Sequence, residues 1–219
     1  MSATIRGRQV SHSMTRHSIE APPGSAVSDF GPRSMRAAAP VKAESPGVLH
    51  RALRAATRSD HVILDRLVLR FDFTRREHYG LFLQLHNSAL RNLEADWRAE
   101  DRVDFAAMLR CVQSDLDALR IATLPIHQIG HASPHPSNRL GIAYVLRGSR
   151  LGATFLRRRV PSKYPTAYLD FEPALSWTQF LVQLESSSQP SNSNHDHDTI
   201  RGARITFETF VSLFNRALF

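Results

Sequence analysis

The chain has 219 residues, 42% of them hydrophobic, which suits one globular domain with appendages. Its single cysteine, Cys111, excludes an internal disulfide framework and any site built from several cysteines, and it fits a reducing compartment such as the cytoplasm. The net charge of +8 predicts attraction to acidic partners, but acidic residues are interspersed with the basic ones, which argues against nucleic acid. No stretch approaches the roughly 18 apolar residues of a membrane span.

The composition changes near residue 46. Residues 1–45 are rich in Ser, Pro, Gly and Arg and show no periodicity, so they are predicted to form a disordered N-terminal extension. Residues 46–219 show helical periodicity with few strand signals, and this pattern predicts a single all-α domain.

The first half of this domain is predicted to hold three helices. The first covers 46–71, with Pro46 near its first turn. Thr74, with Glu77 three residues later, has the spacing of a capping box and opens a second helix that reaches about Trp97. The third covers 102–119, and its predicted core residues are Val103, Ala106, Ala107, Leu109, Val112 and Leu116.

The second half is predicted to begin with a structured loop over 122–136, which is broken by prolines and a glycine. A long helix over 138–159 follows, and Pro161 and Pro165 then interrupt the chain. A short helix over 174–187 and a polar loop over 186–198 precede the last helix, over 199–218. Its predicted core residues are Ile205, Phe207, Phe210, Leu213 and Phe214.

His61, in the first predicted helix, has charged residues on the same helix face. Arg54 lies two turns before it and Asp65 one turn after it, on nearly the same face. A neutral imidazole can ligate iron, a carboxylate can orient its ring, and a guanidinium can pair with a propionate. The alternative is an ordinary helical histidine, since the chain has 11 of them, and His50 on the same face is a rival ligand.

Three glycines share one face of the helix over 138–159. Gly141, Gly148 and Gly152 span only about 40° of its circumference, although each interior glycine costs up to about 1 kcal/mol relative to alanine. Close packing of another helix is one explanation, and approach of a ligand to the backbone is the other. A bare face over haem would steer O₂ toward one meso carbon, and Tyr144 and Ser149 would offer hydroxyls to a propionate or to water.

The two segments together resemble the haem oxygenase family. "LRAATRSDHVILDRL" resembles its proximal helix, and "GIAYVLRGSRLGATFL" resembles the distal helix of the bacterial, biliverdin-producing branch that accompanies bacteriophytochromes. The resemblance spans about residues 48–219, including the last helix, "ARITFETFVSLFNRAL". It implies a single-domain helical bundle with haem between the first helix and a kinked distal helix.

The resemblance also implies roles for individual residues. His61 becomes the iron ligand and Asp65 its hydrogen-bond partner, while Arg54 and Tyr144 fall beside the propionates. Gly148 and Gly152 match the distal glycines that contact haem, with Ser149 beside them. Phe207 and Phe214 fall where aromatic residues wall the pocket.

The chain departs from the family in several places. Arg147 stands where bacterial relatives commonly have an acid, and Ala153 replaces a second adjacent glycine. Arg201 and Arg204 are candidates for further propionate contacts.

Two other patterns offer weaker alternatives. His127, His131 and His135 are spaced four apart, but an intervening glycine and proline disfavour a helical metal site. The arginines at 157–159, followed by Lys163, are expected at a solvated helix end, where they would help to dock an acidic electron donor. The absence of Glu-x-x-His pairs argues against a di-iron bundle.

These patterns lead to one functional expectation, a haem oxygenase that opens haem to biliverdin and releases CO and Fe²⁺. Haem b would be both cofactor and substrate, and O₂ the co-substrate. No flavin- or nicotinamide-binding pattern occurs, so electrons would come from a ferredoxin or a flavoprotein reductase, and a bacteriophytochrome is a candidate biliverdin acceptor. Two alternatives remain: a haem-binding or haem-transfer protein without turnover, and an all-α interaction module whose glycines serve helix packing.

Overall fold

The helical periodicity of the sequence is matched by the computed structural model, which describes residues 47–125, 138–188 and 193–218. All of these belong to one compact unit that spans residues 44–219. They form helices and no strand within those ranges: α1 (Val48–Ala56), α2 (Arg58–Val68), α3 (Arg76–Leu93), α4 (Arg102–Ala118), α5 (Asn138–Arg157), α6 (Ala167–Asp170), α7 (Trp177–Ser187) and α8 (Ser193–Leu218). None of the helices described is long and apolar enough to cross a membrane.

Helix α8 organises the bundle. It packs against α5, α2, α3 and α1, while α4 packs against α3 and α6. Its apolar residues Phe207, Phe210, Leu213 and Phe214 are all buried, as their helical spacing predicts. Large side chains from the other helices complete the core, among them Leu49, Leu53, Phe73, Tyr79, Phe82, Trp97, Phe105 and Phe180.

The backbones of α5 and α8 approach each other closely. A Cβ placed on Gly141 would lie 1.9 Å from the carbonyl oxygen of Thr199, and one on Gly202 would lie 1.9 Å from that of Asn138. Neither position has room for any side chain. Close helix packing therefore explains Gly141.

The first predicted helix is in fact two helices, α1 and α2, and the prediction of one continuous helix over 46–71 is wrong. The break falls at Thr57, whose backbone leaves helical geometry (φ −106°, ψ 5°). The buried Thr57 hydroxyl donates a 2.9 Å hydrogen bond to the carbonyl oxygen of Leu53. Back-bonding of this kind bends helices, and a β-branched residue is a poor helix former.

Two local predictions are also wrong. Thr74 does not cap α3, because its backbone N–H and hydroxyl both donate to the carboxylate of Asp72, and α3 starts two residues later. Val103 is 77% exposed, because the buried face of α4 is centred on Phe105, Met108 and Val112 instead.

Several helix boundaries agree with the sequence pattern. Helices α4 and α5 begin at the predicted residues, and α7 ends where predicted. The second helix ends earlier than expected, at Leu93, and a short 3₁₀ turn over Glu94–Asp96 follows it. Helix α8 begins at Ser193, inside the segment predicted as a polar loop, and α6 was not predicted.

Helix α4 ends in a left-handed turn at Arg120, whose φ is +53°. The N–H of Ile121 then donates to the carbonyl oxygen of Leu116, a pattern typical of helix C-termini. The turn directs Ile121 onto Gly80 of α3, where a Cβ would overlap the Ile121 side chain.

A histidine of α3, His86, is enclosed by aromatic side chains. Its Nδ1–H donates to the carbonyl oxygen of Phe82 (2.9 Å), and its ring lies 5.2–5.5 Å from those of Tyr168, Phe210 and Phe214. Burial lowers the pKa of His86 from 6.5 to about 4, because the surroundings disfavour the charged imidazolium.

Substitution of Gly141 by alanine is expected to lower the free energy of unfolding by about 1–3 kcal/mol, because the new methyl group collides with the backbone of α8. Gly152→Ala, in the same helix, is the matched control. A Cβ there meets nothing within 4 Å, so stability should stay unchanged or rise by up to about 1 kcal/mol. Urea unfolding of the ligand-free protein measures both, and equal stability of the two variants would contradict this assignment.

The enclosed His86 also makes stability depend on pH. Between pH 6.5 and about 4 the unfolded chain binds a proton that the folded protein does not, so stability should fall by up to about 3 kcal/mol as the pH decreases. His86→Gln should flatten that part of the stability profile, and the exposed His197→Gln should not. A profile for H86Q parallel to that of the wild type would show that His86 is not the cause.

Candidate functional site

The second half of α5 presents an apolar stripe that the other described helices leave uncovered, except at Gly148, which faces the Trp177 ring of α7. Its members are Gly148, Leu151, Gly152 and Phe155, which follow the i, i+3, i+4, i+7 spacing of one helix face. Leu151 is 62% exposed and Phe155 is 61% exposed, whereas residues 140–147 of the same helix are all buried. An uncovered stripe of this kind is typical of a surface that binds a ligand or a partner.

The glycines of this stripe differ from Gly141 in their surroundings. A Cβ on Gly152 would meet nothing, and one on Gly148 would only touch the ring of Trp177, at 3.4 Å. Close helix packing therefore explains Gly141 but neither of the other two. The interpretation of the chain as an interaction module with purely structural glycines is weakened accordingly.

His61 of α2 is 63% exposed and paired with Asp65 one turn later. Its Nδ1 lies 2.9 Å from a carboxylate oxygen of Asp65, which favours the tautomer with the proton on Nδ1 and the lone pair on Nε2. The imidazole ring also lies beside Phe207 of α8, with 5.8 Å between ring centroids. The sequence-predicted residues His61, Asp65 and Phe207 are thus close together.

Helices α2 and α5 both pack against α8 but make little contact with each other. Helix α1, which precedes α2, contacts α5 through His50, whose ring meets that of Tyr144 in a T-shaped arrangement with 5.9 Å between centroids. Trp177 at the start of α7 completes this cluster, 6.0 Å from His50 and 5.5 Å from Tyr144. The rival ligand His50 therefore belongs to the junction of α1, α5 and α7, separated from His61 by the break at Thr57.

Arg54 lies within electrostatic range of this junction. Burial raises the pKa of the Tyr144 hydroxyl, and the Arg54 charge opposes that change. Burial also lowers the pKa of His50, while Glu185 raises it and Arg54 lowers it further. The Arg54 charge thus acts on both His50 and Tyr144, and the role of Arg54 and Tyr144 beside a propionate stays a prediction.

Glu185, near the end of α7, ties that helix to the start of α1. Its carboxylate oxygens accept hydrogen bonds from the backbone N–H groups of Leu49 (3.2 Å) and His50 (2.8 Å). These N–H groups have no partner within α1, and the helix dipole favours an anion there. A Cβ on Gly47 would overlap the Glu185 side chain, so a larger residue there would displace the carboxylate from these N–H groups.

Other predicted residues are already engaged elsewhere. The Ser149 hydroxyl donates to the carbonyl oxygen of Leu146 (2.7 Å), and Arg204 donates to the carbonyl oxygen of Ala56. Phe214 is fully buried among Phe71, Phe82 and His86, so it is a core residue, and Arg201 is exposed on α8.

Sequence reasoning missed Trp177 and the partners of Arg147. Arg147 is buried and forms ion pairs with Asp101, the residue before α4, and with Asp104 in its first turn. A signal for Trp177 did exist, since Ser176 and Gln179 form a capping box that starts α7 at the tryptophan. The pairing of Arg147 across 43 and 46 residues left no local signal.

The candidate metal ligands His127, His131 and His135 lie outside the described residues. Within residues 47–125, 138–188 and 193–218, no three His, Cys, Asp or Glu side chains cluster to hold a metal ion.

The helices and their packing define an all-α fold, that of the haem oxygenases. Among solved structures, the chain is similar to the NO- and CO-bound heme oxygenase of Neisseria meningitidis, with a TM-score of 0.65. The match covers 77% of this chain and 90% of that one, at 20% sequence identity, which establishes the fold. The predicted fold class is confirmed. No family model matches the sequence, and no curated protein matches it.

Replacement of Glu185 by glutamine is expected to lower the pKa of His50 further, because the carboxylate favours the protonated imidazole. NMR titration of the His50 resonance, assigned with a His50→Asn variant, measures the change. Glu172→Gln, an exposed change outside the junction, is the control. An unchanged or raised pKa of His50 in E185Q would contradict the described contact.

Proposed function

We propose that this protein is a haem oxygenase that binds haem between α2 and α5 and opens it to biliverdin, with release of CO and ferrous iron. One observation carries the proposal: an exposed, carboxylate-paired imidazole on α2 occurs together with an uncovered, glycine-bearing stripe on α5. The shared fold with the Neisseria heme oxygenase supports it.

His61 is proposed as the iron ligand through Nε2. Asp65 accepts the Nδ1 proton, which orients the ring and raises the basicity of the other nitrogen. Phe207 supports the imidazole from α8. The His61 imidazole, oriented by Asp65, would thus ligate the iron from one face of the planar haem.

Arg54 and Tyr144 are proposed to bind the propionate carboxylates. The Arg54 side chain is exposed, and its positive charge lowers the pKa of the Tyr144 hydroxyl against the effect of burial. A guanidinium matches carboxylate geometry, and a buried phenol adds a hydrogen-bond donor. These contacts would set the rotation of the ring in the slot.

The stripe on α5 is proposed as the opposite wall. Leu151 and Phe155 would lose their exposure to water on binding a flat apolar ring, which is favourable by about 25 cal/mol per Å² of apolar surface. Gly152 leaves the backbone accessible where O₂ must fit, and Gly148 and Ser149 border that place, with Gly148 in contact with the Trp177 ring.

Haem, as substrate, supplies the iron at which O₂ is reduced, and the electrons come from an external donor. The net charge of +8 favours an acidic donor such as a ferredoxin or a flavoprotein reductase. The resemblance to the bacteriophytochrome-associated branch suggests a phytochrome as biliverdin acceptor and the cytoplasm as location.

The test is to mix the ligand-free protein with hemin and add a reductant in air. We expect a Soret band that gives way to biliverdin absorbance. Failure to form the band would refute haem binding, and a stable band that never yields biliverdin would instead favour the haem-binding or haem-transfer alternative.

His61→Ala should shift or weaken the Soret band and abolish turnover, because the iron loses its protein ligand. Asp65→Asn should lower affinity or turnover by about 10–100-fold. His197→Ala, an exposed change on α8, is the control. A wild-type spectrum in H61A would exclude His61 as the ligand.

A further inference from the structure

Arg147, the residue before Gly148, is only 4% exposed and makes four hydrogen bonds. Its Nε and Nη2 donate to one carboxylate oxygen of Asp101 (3.0 and 2.8 Å), and Nη2 also donates to Asp104 (2.9 Å). Its Nη1 donates to the carbonyl oxygen of Leu175 (3.2 Å). Buried arginines of this kind fix the geometry of every segment they join.

The same cluster fixes the segment that leads into α7. The second carboxylate oxygen of Asp104 accepts the backbone N–H of Ala174 (3.1 Å), beside the Leu175 carbonyl held by Arg147. Two neighbouring peptide groups are therefore tied to one ion pair. Trp177 follows two residues after Leu175 and begins α7.

A second route connects Arg147 to Trp177 through aromatic rings. The guanidinium lies over Phe105 of α4 (5.5 Å) and Phe180 of α7 (5.6 Å). Phe180 in turn stacks on Trp177, with 5.8 Å between centroids and 28° between planes. The position of the Trp177 ring thus depends on Arg147 through both backbone and side chains.

Trp177 makes the α5 stripe asymmetric. Its ring carbons Cη2 and Cζ3 lie 3.4 and 3.6 Å from the place a Cβ would take on Gly148, whereas nothing lies within 4 Å of that place on Gly152. One glycine is covered and the other is open, although their spacing in the sequence gives no reason for a difference.

We propose that Arg147, Asp101 and Asp104 form a clamp that positions Trp177 against Gly148, so that a planar ring is seated toward Gly152. The inference about seating rests on the proposed function, whereas the positioning of Trp177 does not. Arg147 touches no ligand in this scheme and acts as a positioning residue. The clamp would thereby bias which meso carbon lies beneath the open backbone.

The first test uses the ligand-free protein and tryptophan fluorescence. The chain has two tryptophans, and subtraction of the spectrum of the matching Trp177→Phe variant isolates the emission of Trp177. Asp104→Ala removes the hydrogen bonds to Arg147 and to Ala174 but keeps the Arg147–Asp101 pair, so it is the milder variant. Arg147→Met removes both ion pairs, the hydrogen bond to Leu175 and the contacts with Phe105 and Phe180, and leaves only the Asp104–Ala174 hydrogen bond.

Both variants should show a red shift of Trp177 emission and stronger quenching by acrylamide, with the larger effect in R147M. Arg157→Met is the matched control, because Arg157 lies on the same helix and pairs with Asp170 at the surface, without contact to Trp177. Unchanged emission in a folded D104A protein would overturn the clamp.

The second test adds hemin and a reductant and compares the biliverdin isomers. D104A and W177A should change the isomer ratio relative to wild type. An unchanged ratio in W177A would overturn the seating of the ring. If wild-type protein fails to bind hemin, the proposed function is refuted, yet the fluorescence test still decides whether the clamp positions Trp177.

Discussion

Where α5 crosses α8, two glycines let the backbones touch, and no side chain separates the helices. The distance between them is therefore set by backbone atoms, which cannot repack as side chains do. Because α8 also carries the contacts to α1, α2 and α3, the placement of α5 against it determines where the rest of α5 stands in the bundle.

This anchoring allows one helix to serve two purposes. The first half of α5 is buried and fixed, so its second half can leave large apolar side chains uncovered without collapsing onto the core. The boundary between the halves falls at Arg147, whose buried ion pairs with α4 fix the rotation of the helix. The apolar stripe is therefore exposed on a helix segment that buried contacts hold in place. A binding surface that is formed before the ligand arrives requires a segment held in this way.

Much of the fold could be predicted because amphipathic periodicity is a local property. Helices α4, α5 and α7 and the buried face of α8 follow from it, as does the pairing of His61 with Asp65 one turn later. The break at Thr57 could not be predicted, because its hydroxyl has the same neighbours in a straight helix. The three glycines share one face in the sequence, and only the neighbouring helices distinguish Gly141 from Gly148 and Gly152. Arg147 and Trp177 depend on partners far along the chain, for which periodicity holds no information.

The left-handed turn at Arg120 has a consequence for engineering this protein. An L-residue with a side chain pays about 1–2 kcal/mol to adopt this conformation, whereas glycine adopts it readily. The residue is exposed and follows the last turn of α4. Replacement of Arg120 by glycine is therefore expected to raise the melting temperature without changing any residue of α2 or α5, and this variant is a useful background in which to study destabilising substitutions.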